Sequence, residues 1–264
     1  MRVLVTGGFG YFGLALVRRL AREHDVVAVG RDPRRGTLDA VLAAMPTSVS
    51  TRGMCDVRGL TAVGLRDIEA VVHLAGGGAP GGLVEHPTEA IRDNVDSAIH
   101  VVHAARNAKR LLLASSIYVY GSIERPARES DGTAPDTLYG AMKRLAEAVW
   151  HEAGGTALRF SHLYGVGSGV DFRRDGVSER MARAAVGLGA FSLHGDGSQR
   201  LDLVHIDDAC EAVARALVAP ELPPAINIGG GSGAPSITEL AEVFGVVTVG
   251  REQVPGVDAL LPRT

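Results

Sequence analysis

The sequence predicts an α/β protein built on a doubly wound parallel sheet with a small C-terminal unit, and three observations predict it. Short apolar runs alternate with amphipathic stretches of helix length. The runs are near-continuously apolar, as in strands covered on both faces. A glycine-rich turn, Thr6-Gly7-Gly8-Phe9-Gly10-Tyr11-Phe12-Gly13, joins the first run to the first amphipathic stretch.

Element by element, Val3–Val5 reads as the first strand and Leu14–Glu23 as the first helix, with Leu14, Val17 and Leu20 on one side. Further strands are expected at Val26–Val29, Val49–Met54, Ala70–Leu74 and Arg110–Ala114. A long helix is expected over Thr88–Asn107, and another over Tyr139–Glu152 that leads into a strand at Thr156–Phe160. Beyond Tyr164 the pattern changes. Glycine-rich loops, a helix near Val177–Val186 and a short strand near Phe191–Leu193 make a smaller unit. Gly121–Thr137 and Gly165–Gly176 read as long loops, a length usually tied to function or disorder.

The bulk numbers bound the answer. A chain of 264 residues, 46% hydrophobic and 22% charged, can bury a real core. Its 34 glycines are about 13% of the chain, against a typical ~7%. That excess points to tight turns and to backbone that approaches a ligand closely. The net charge of −3 gives no electrostatic case for nucleic acid. Cys55 and Cys210 fit no metal or redox spacing. No apolar run reaches the ~20 residues of a membrane span, and the glycine turn follows the N-terminus too closely for a signal peptide. The expectation is a cytoplasmic protein without a metal, acting on a small molecule.

Gly7, Gly10 and Gly13 have the G-x-x-G-x-x-G spacing of a dinucleotide-binding turn. Such a turn needs positions without Cβ, so that backbone approaches a pyrophosphate and helix packs on strand. The helix N-terminus then offers N–H groups to the phosphates. Gly7, Phe9, Gly10, Tyr11, Phe12 and Gly13 are therefore candidate cofactor contacts, in a Rossmann-type arrangement. Leu14-Ala15 stands where a nucleotide-triphosphate loop needs Lys and Ser/Thr, which excludes that reading. After the second strand, Gly30 takes the place of the usual ribose-binding acid, and Arg31 follows it. Room plus a cation predicts NADP(H) in preference to NAD(H). The competing reading has Arg31, Arg34 and Arg35 in a solvated loop, with Asp32 as the acid.

Tyr139 and Lys143 are four apart at the start of a helix, so they share a face. A cation ~4 Å from a phenol, at an effective dielectric of ~20, is worth about 4 kcal/mol, enough to bring the phenol toward acid–base work at neutral pH. Ser116 lies at the end of the fifth strand, and ligands of open α/β sheets bind beyond the strands' carboxyl ends. The strand-end serine with the Tyr/Lys pair on the next helix is far more specific than either alone.

With these residues the chain resembles the extended short-chain dehydrogenase/reductase family, the NAD-dependent epimerase/dehydratase group acting mostly on nucleotide sugars. Further matching segments include Asp56-Val57, Val72-His73-Leu74-Ala75-Gly76, Asn94-Val95, Leu158-Arg159, Tyr164-Gly165, Gly195-Asp196-Gly197-Ser198-Gln199 and Val204-His205-Ile206-Asp207-Asp208. The resemblance implies that Asp56 and Val57 approach the adenine, that Leu74, Ala75 and Gly76 line the cofactor, and that Asn94 supports the site. It implies catalytic roles for Ser116, Tyr139 and Lys143. It also implies an NAD(P)-binding domain over 1–165, to which segments around 203–228 return, and a substrate-binding subdomain over 166–264. Dimerisation through the two long helices is a further expectation.

Departures narrow the reaction. Ile117 and Tyr118 stand where related dehydratases place an acid pair, so dehydration is not expected. Leu201 takes the slot of a diphosphate-binding arginine, Arg200 sits one residue early, and His162 replaces a substrate-facing asparagine. Ser116, Ile117, Tyr118, His162 and Arg200 are the candidate substrate contacts. The expected function is a ketoreductase of a nucleotide-linked keto sugar or a related polyhydroxylated intermediate. The alternatives are an epimerase with tightly bound NAD and a catalytically silent cofactor-binding regulator. Of the remaining polar residues, His100 and His103 read as a helix-surface pair, Trp150 as core or interface, and Asp207-Asp208 as a helix cap.

Overall fold

A computed structural model describes residues 1–31, 43–54, 56–76, 85–123, 125–166, 176–231, 233–246 and 248–252. Its centre is a seven-stranded, wholly parallel sheet. Strands β1 (Arg2–Thr6), β2 (Asp25–Gly30) and β3 (Ser50–Met54) form one half. Strands β4 (Ala70–His73), β5 (Arg110–Ser116) and β6 (Thr156–Phe160) form the other, with β10 (Ala225–Ile228) at the edge. The order is β10-β6-β5-β4-β1-β2-β3, so the chain reverses its direction of travel between β1 and β4. A crevice opens beyond the carboxyl ends at such a point.

Alternate residues of β1 feed two cores, because side chains alternate across a strand. Val3 and Val5 pack with Leu14 and Val17 of α1 (Tyr11–Leu20) and with Val213 and Leu217 of the later helix Ile206–Val218. Leu4 faces the other way, toward Val101, Leu113 and the fully buried Trp150. Burial on both faces explains why the strands read as continuous apolar runs.

The expected helix over Thr88–Asn107 is three pieces. Pro87–Ile91 is α2, Ser97–Ala104 is α3, and a π-helical turn, Arg92–Asp96, lies between them. The next helix, α4 (Leu138–Glu152), starts where Thr137 Oγ1 accepts the Gly140 N–H at 3.1 Å. After β7 (His162–Tyr164) come α5 (Val177–Ala185) and β8 (Phe191–His194). Strand β9 (Leu203–His205) pairs with β7 and leads into α6 (Ile206–Val218). The cap of α6 is His205, whose Nδ1 accepts the Asp207 N–H at 3.3 Å, and not an aspartate. Helix α7 (Ile237–Val243) begins in a capping box of Ser236 and Glu239, and β11 (Thr248–Glu252) pairs with β8. Met181, Phe191, Leu201, Ile237 and Leu240 form a separate small core.

Candidate active site

The glycine turn sits in the crevice between β1 and β4. Gly7 has φ +70°, and a Cβ there would lie 2.9 Å from Ala75 N in the turn after β4. At Gly13 a Cβ would run into the Gly7 carbonyl and lie 2.7 Å from Gly8 Cα. Gly10 is the N-cap of α1, and no side chain caps the helix's first turn. Phe9 is buried, Tyr11 donates its hydroxyl to the Gly165 carbonyl, and Phe12 meets Phe160 edge-on at 5.1 Å.

A threonine that the spacing argument did not single out ties the two turns together. Thr6 Oγ1 lies 2.7 Å from His73 Nδ1 and accepts the Ala75 N–H at 3.3 Å. His73 stacks on Trp150 at 5.5 Å between centroids. Burial, and then the Lys143 charge, push the His73 pKa down to about 3. Below pH ~6.5 the unfolded chain takes up a proton here that the folded chain refuses. The unfolded state binds more protons, so stability falls with pH through the window from 6.5 toward 3. The slope from this group is ~1.4 kcal/mol per pH unit. Denaturant titrations across pH 6 to 4 should show the His73→Gln variant with a shallower loss by that amount; parallel curves would refute it.

Asn94 lies in the π turn, a device often found at functional sites. It is 3% exposed, and its Nδ2 donates to the Ala90 carbonyl at 3.0 Å. A Cβ on Gly76 would come 2.8 Å from Asn94 Oδ1 and 3.5 Å from Lys143 Nζ, so these three residues converge. Lys143, 8% exposed, donates to the Ala114 carbonyl at 3.0 Å and lies 5.6 Å from the Tyr139 ring centroid. Burial pushes its pKa down to about 8, against the opposing charge of Glu147. Ser116 ends β5, and its hydroxyl accepts the Tyr118 N–H at 3.4 Å. The Tyr118 ring meets Tyr139 at 5.8 Å and His162 at 6.0 Å, both edge-on. Burial and the neighbouring Tyr139 push the Tyr118 phenol up to about 12, so it stays protonated. Ile117 is half-buried beside it.

The other predicted residues stand apart from this cluster. Asp56 caps a 3₁₀ turn and is held at a pKa of about 2 by Arg58, whose Nε donates to it at 2.8 Å, while Val57 is core. Arg200 donates to the Ala234 carbonyl at 2.6 Å and lies 3.7 Å from Glu239; Leu201 is buried in the small core. His100 Nε2 lies 2.6 Å from the Leu60 carbonyl. Asp32, Arg34 and Arg35 lie outside the described residues. Sequence reasoning assigned no role to the buried pair of Glu147 on α4 and Arg159 on β6, 2.8 Å apart. The i, i+4 continuation from Lys143 was its available signal.

The family model described as "NAD dependent epimerase/dehydratase family" matches residues 3–229. A probable UDP-glucuronate 4-epimerase of Rhizobium meliloti is 28% identical over 83% of this chain and 69% of its own length. A dTDP-4-dehydro-6-deoxy-D-allose reductase of Streptomyces bikiniensis is 30% identical over 95% of this chain and 82% of its own. Among solved structures, MoeE5 in complex with UDP-glucose and NAD is 29% identical, with a TM-score of 0.81 over 99% of this chain and 92% of that one.

The expected preference for NADP(H) is overturned. The MoeE5 structures hold NAD, with UDP-glucose in one and UDP-glucuronic acid in the other. The two features that suggested a 2′-phosphate site have other physical causes. A Cβ on Gly30 would lie 3.3 Å from the Phe9 ring, so the space beside Gly30 is taken by that ring and not left open for a phosphate. Arg31 is engaged in a two-pronged pair with Asp93, at 3.0 and 2.5 Å.

Proposed function

Because the chain belongs to the NAD dependent epimerase/dehydratase family, and is an enzyme of the extended short-chain dehydrogenase/reductase type, we propose that it interconverts a secondary alcohol and a ketone on a nucleotide-linked sugar, with NAD(H) as redox partner. The observation that carries this reading is the buried Lys143 ammonium beside Tyr139 at the carboxyl end of β5. The glycine cradle, which Cβ atoms would fill, fits a dinucleotide. Gly7, Gly10, Tyr11, Phe12 and Gly13 would take its diphosphate, Asp56 and Val57 its adenosine end, and Leu74, Ala75, Gly76 and Asn94 the nicotinamide end. Bound NAD supplies a hydride acceptor and its reduced form a donor. Lys143 would bind the nicotinamide ribose, and its charge favours the Tyr139 phenolate. Tyr139 gives a proton to the ketone oxygen in reduction and takes it from the alcohol in oxidation, while the Ser116 hydroxyl orients that oxygen. Ile117 and Tyr118 supply no carboxylate for eliminating water.

Net reduction of a keto sugar is the leading form, supported by the 30% likeness to the allose reductase across nearly the whole chain. The epimerase form, in which hydride returns to the same carbon, is supported by the 4-epimerase relatives and the NAD held by MoeE5. The experiment assays purified protein with UDP-glucose, UDP-glucuronic acid and a dTDP-linked 4-keto sugar. A reductase consumes one NADH per product. An epimerase releases NAD when denatured and forms the 4-epimer without added cofactor. If NAD binds but no substrate exchanges hydride with it, the reading fails.

A further inference from the structure

We propose that Glu147 is a positioning residue for this reaction: its carboxylate, locked by Arg159 and Ser115, keeps the Lys143 ammonium charged beside Tyr139. The inference rests on the reading of Tyr139 and Lys143 given above.

Tyr139, Lys143 and Glu147 follow one another at intervals of four on α4, so they line one face of the helix. Glu147 is wholly buried. An ionised carboxylate persists in such a place only if it is paired and hydrogen-bonded. Arg159 donates to it twice, Nε to Oε1 at 3.0 Å and Nη2 to Oε2 at 2.8 Å. Ser115, the neighbour of Ser116, donates to Oε1 at 2.5 Å. Arg159 is fixed in turn, since its Nη1 donates to the Tyr120 hydroxyl at 2.8 Å and its guanidinium lies 4.8 Å from that ring's centroid. The Tyr120 hydroxyl donates to Asn227 Oδ1 at 2.7 Å on the sheet's edge strand. The anion that α4 carries is thus gripped from β5 and β6, and the 3₁₀ turn Ile117–Tyr120 and β10 brace its arginine.

The surroundings of Lys143 show what that anion does. Tyr139 and Glu147 face it from its own helix and His73 from β4, with Arg159 behind Glu147, while Tyr118 in the turn after β5 meets the Tyr139 ring edge-on. The neutral Asn94 of the π turn converges with it on Gly76, while Asp93 is engaged by Arg31. His73 is held neutral and contributes no negative charge. Burial drives Lys143 toward its neutral form, and the Glu147 charge opposes it. Without that charge the ammonium would lose its proton closer to neutral pH, and Tyr139 would lose its cation.

The chain contains only two lysines, Lys109 and Lys143, and Lys109 is exposed. A ¹³Cε-lysine NMR titration therefore reads Lys143 directly, with Lys109 as internal reference, in NAD-saturated and NAD-free protein. In Glu147→Gln the Lys143 midpoint should drop by about one pH unit, a tenfold change in its proton affinity. The alkaline limb of the kcat profile should move with it, and Lys109 should not move. Glu147→Asp keeps the charge and should keep the midpoint near its wild-type position. Glu147→Gln leaves the Arg159 guanidinium buried and unpaired, so the double variant E147Q/R159Q, which removes both charges, is titrated alongside. A Lys143 midpoint unchanged in either variant overturns the proposal. The titration needs no turnover, so it stands or falls separately from the acid–base reading, which an active Tyr139→Phe would sink.

Discussion

Tyr139→Phe should lower kcat for hydride exchange with UDP-glucose or UDP-glucuronic acid by roughly 10³-fold, within the 10²–10⁴ range of general acid–base catalysis, while NAD binding stays near the wild-type value. The substitution removes one oxygen and leaves the ring, so its edge contact with Tyr118 and its place near Lys143 survive. What is lost is the only step that requires that oxygen, the proton transfer with the sugar oxygen. Tyr118 is the natural control. It is also a phenol at the carboxyl end of β5, but it is buried and pushed up to about 12, so it keeps its proton throughout the working range. Tyr118→Phe should therefore change kcat by less than about tenfold. Steady-state kinetics with NAD affinity measured by calorimetry separates the two variants. Comparable losses in both, or a loss confined to NAD affinity, would assign the proton to another group.

The difference between these tyrosines marks how far the sequence can be read. The Tyr139/Lys143 spacing and the serine at the end of β5 are local patterns, and one helical period and one strand end place them. Strand β6 lies at Thr156–Phe160 as expected, and all five of its residues are buried, the polar Thr156 and Arg159 included. Helix α4 begins within one residue of expectation, at a threonine cap. What stayed hidden depends on partners distant in the chain. Arg31 looked like a free cation because Asp93, 62 positions on, cannot be paired with it by inspection. Gly30 looked like room for a phosphate because nothing local says that the Phe9 ring lies against it. The π turn at Arg92–Asp96 inserts a wider turn into a run whose apolar period still reads as one helix, and that turn carries Asn94. The grip on Glu147 joins five elements that no single window spans.

Gly13→Ala should cost about 3 kcal/mol of stability, the upper end for an overpacked site, and should weaken NAD binding at least ~100-fold if the turn is displaced by 1 Å or so. By spacing alone, Gly10 and Gly13 are equivalent members of one pattern. Their surroundings are not. A Cβ on Gly10 would meet only the Gly7 carbonyl, at 3.3 Å, a contact that a shift of a few tenths of an ångström relieves. A Cβ on Gly13 would collide with that carbonyl and press on Gly7 C and Gly8 Cα at 2.7 Å each. All three are backbone atoms, so no side chain can swing away, and helix and turn must separate. Gly7 cannot yield freely, because its own Cα is packed against the Leu74–Ala75 backbone, and Gly8 is pinned by its N–H bond to the Val29 carbonyl at 3.0 Å. The strain therefore falls on the junction where the uncapped first turn of α1 faces the crevice. Gly10→Ala should lose under about 1 kcal/mol, the ordinary range for a tolerated change. Denaturant melts and NAD titrations of the two variants should diverge by these amounts; equal losses would mean that the two glycines answer only to a common pattern, and that the close approach of α1 to the Gly7–Gly8 backbone is not what fixes the cofactor cradle.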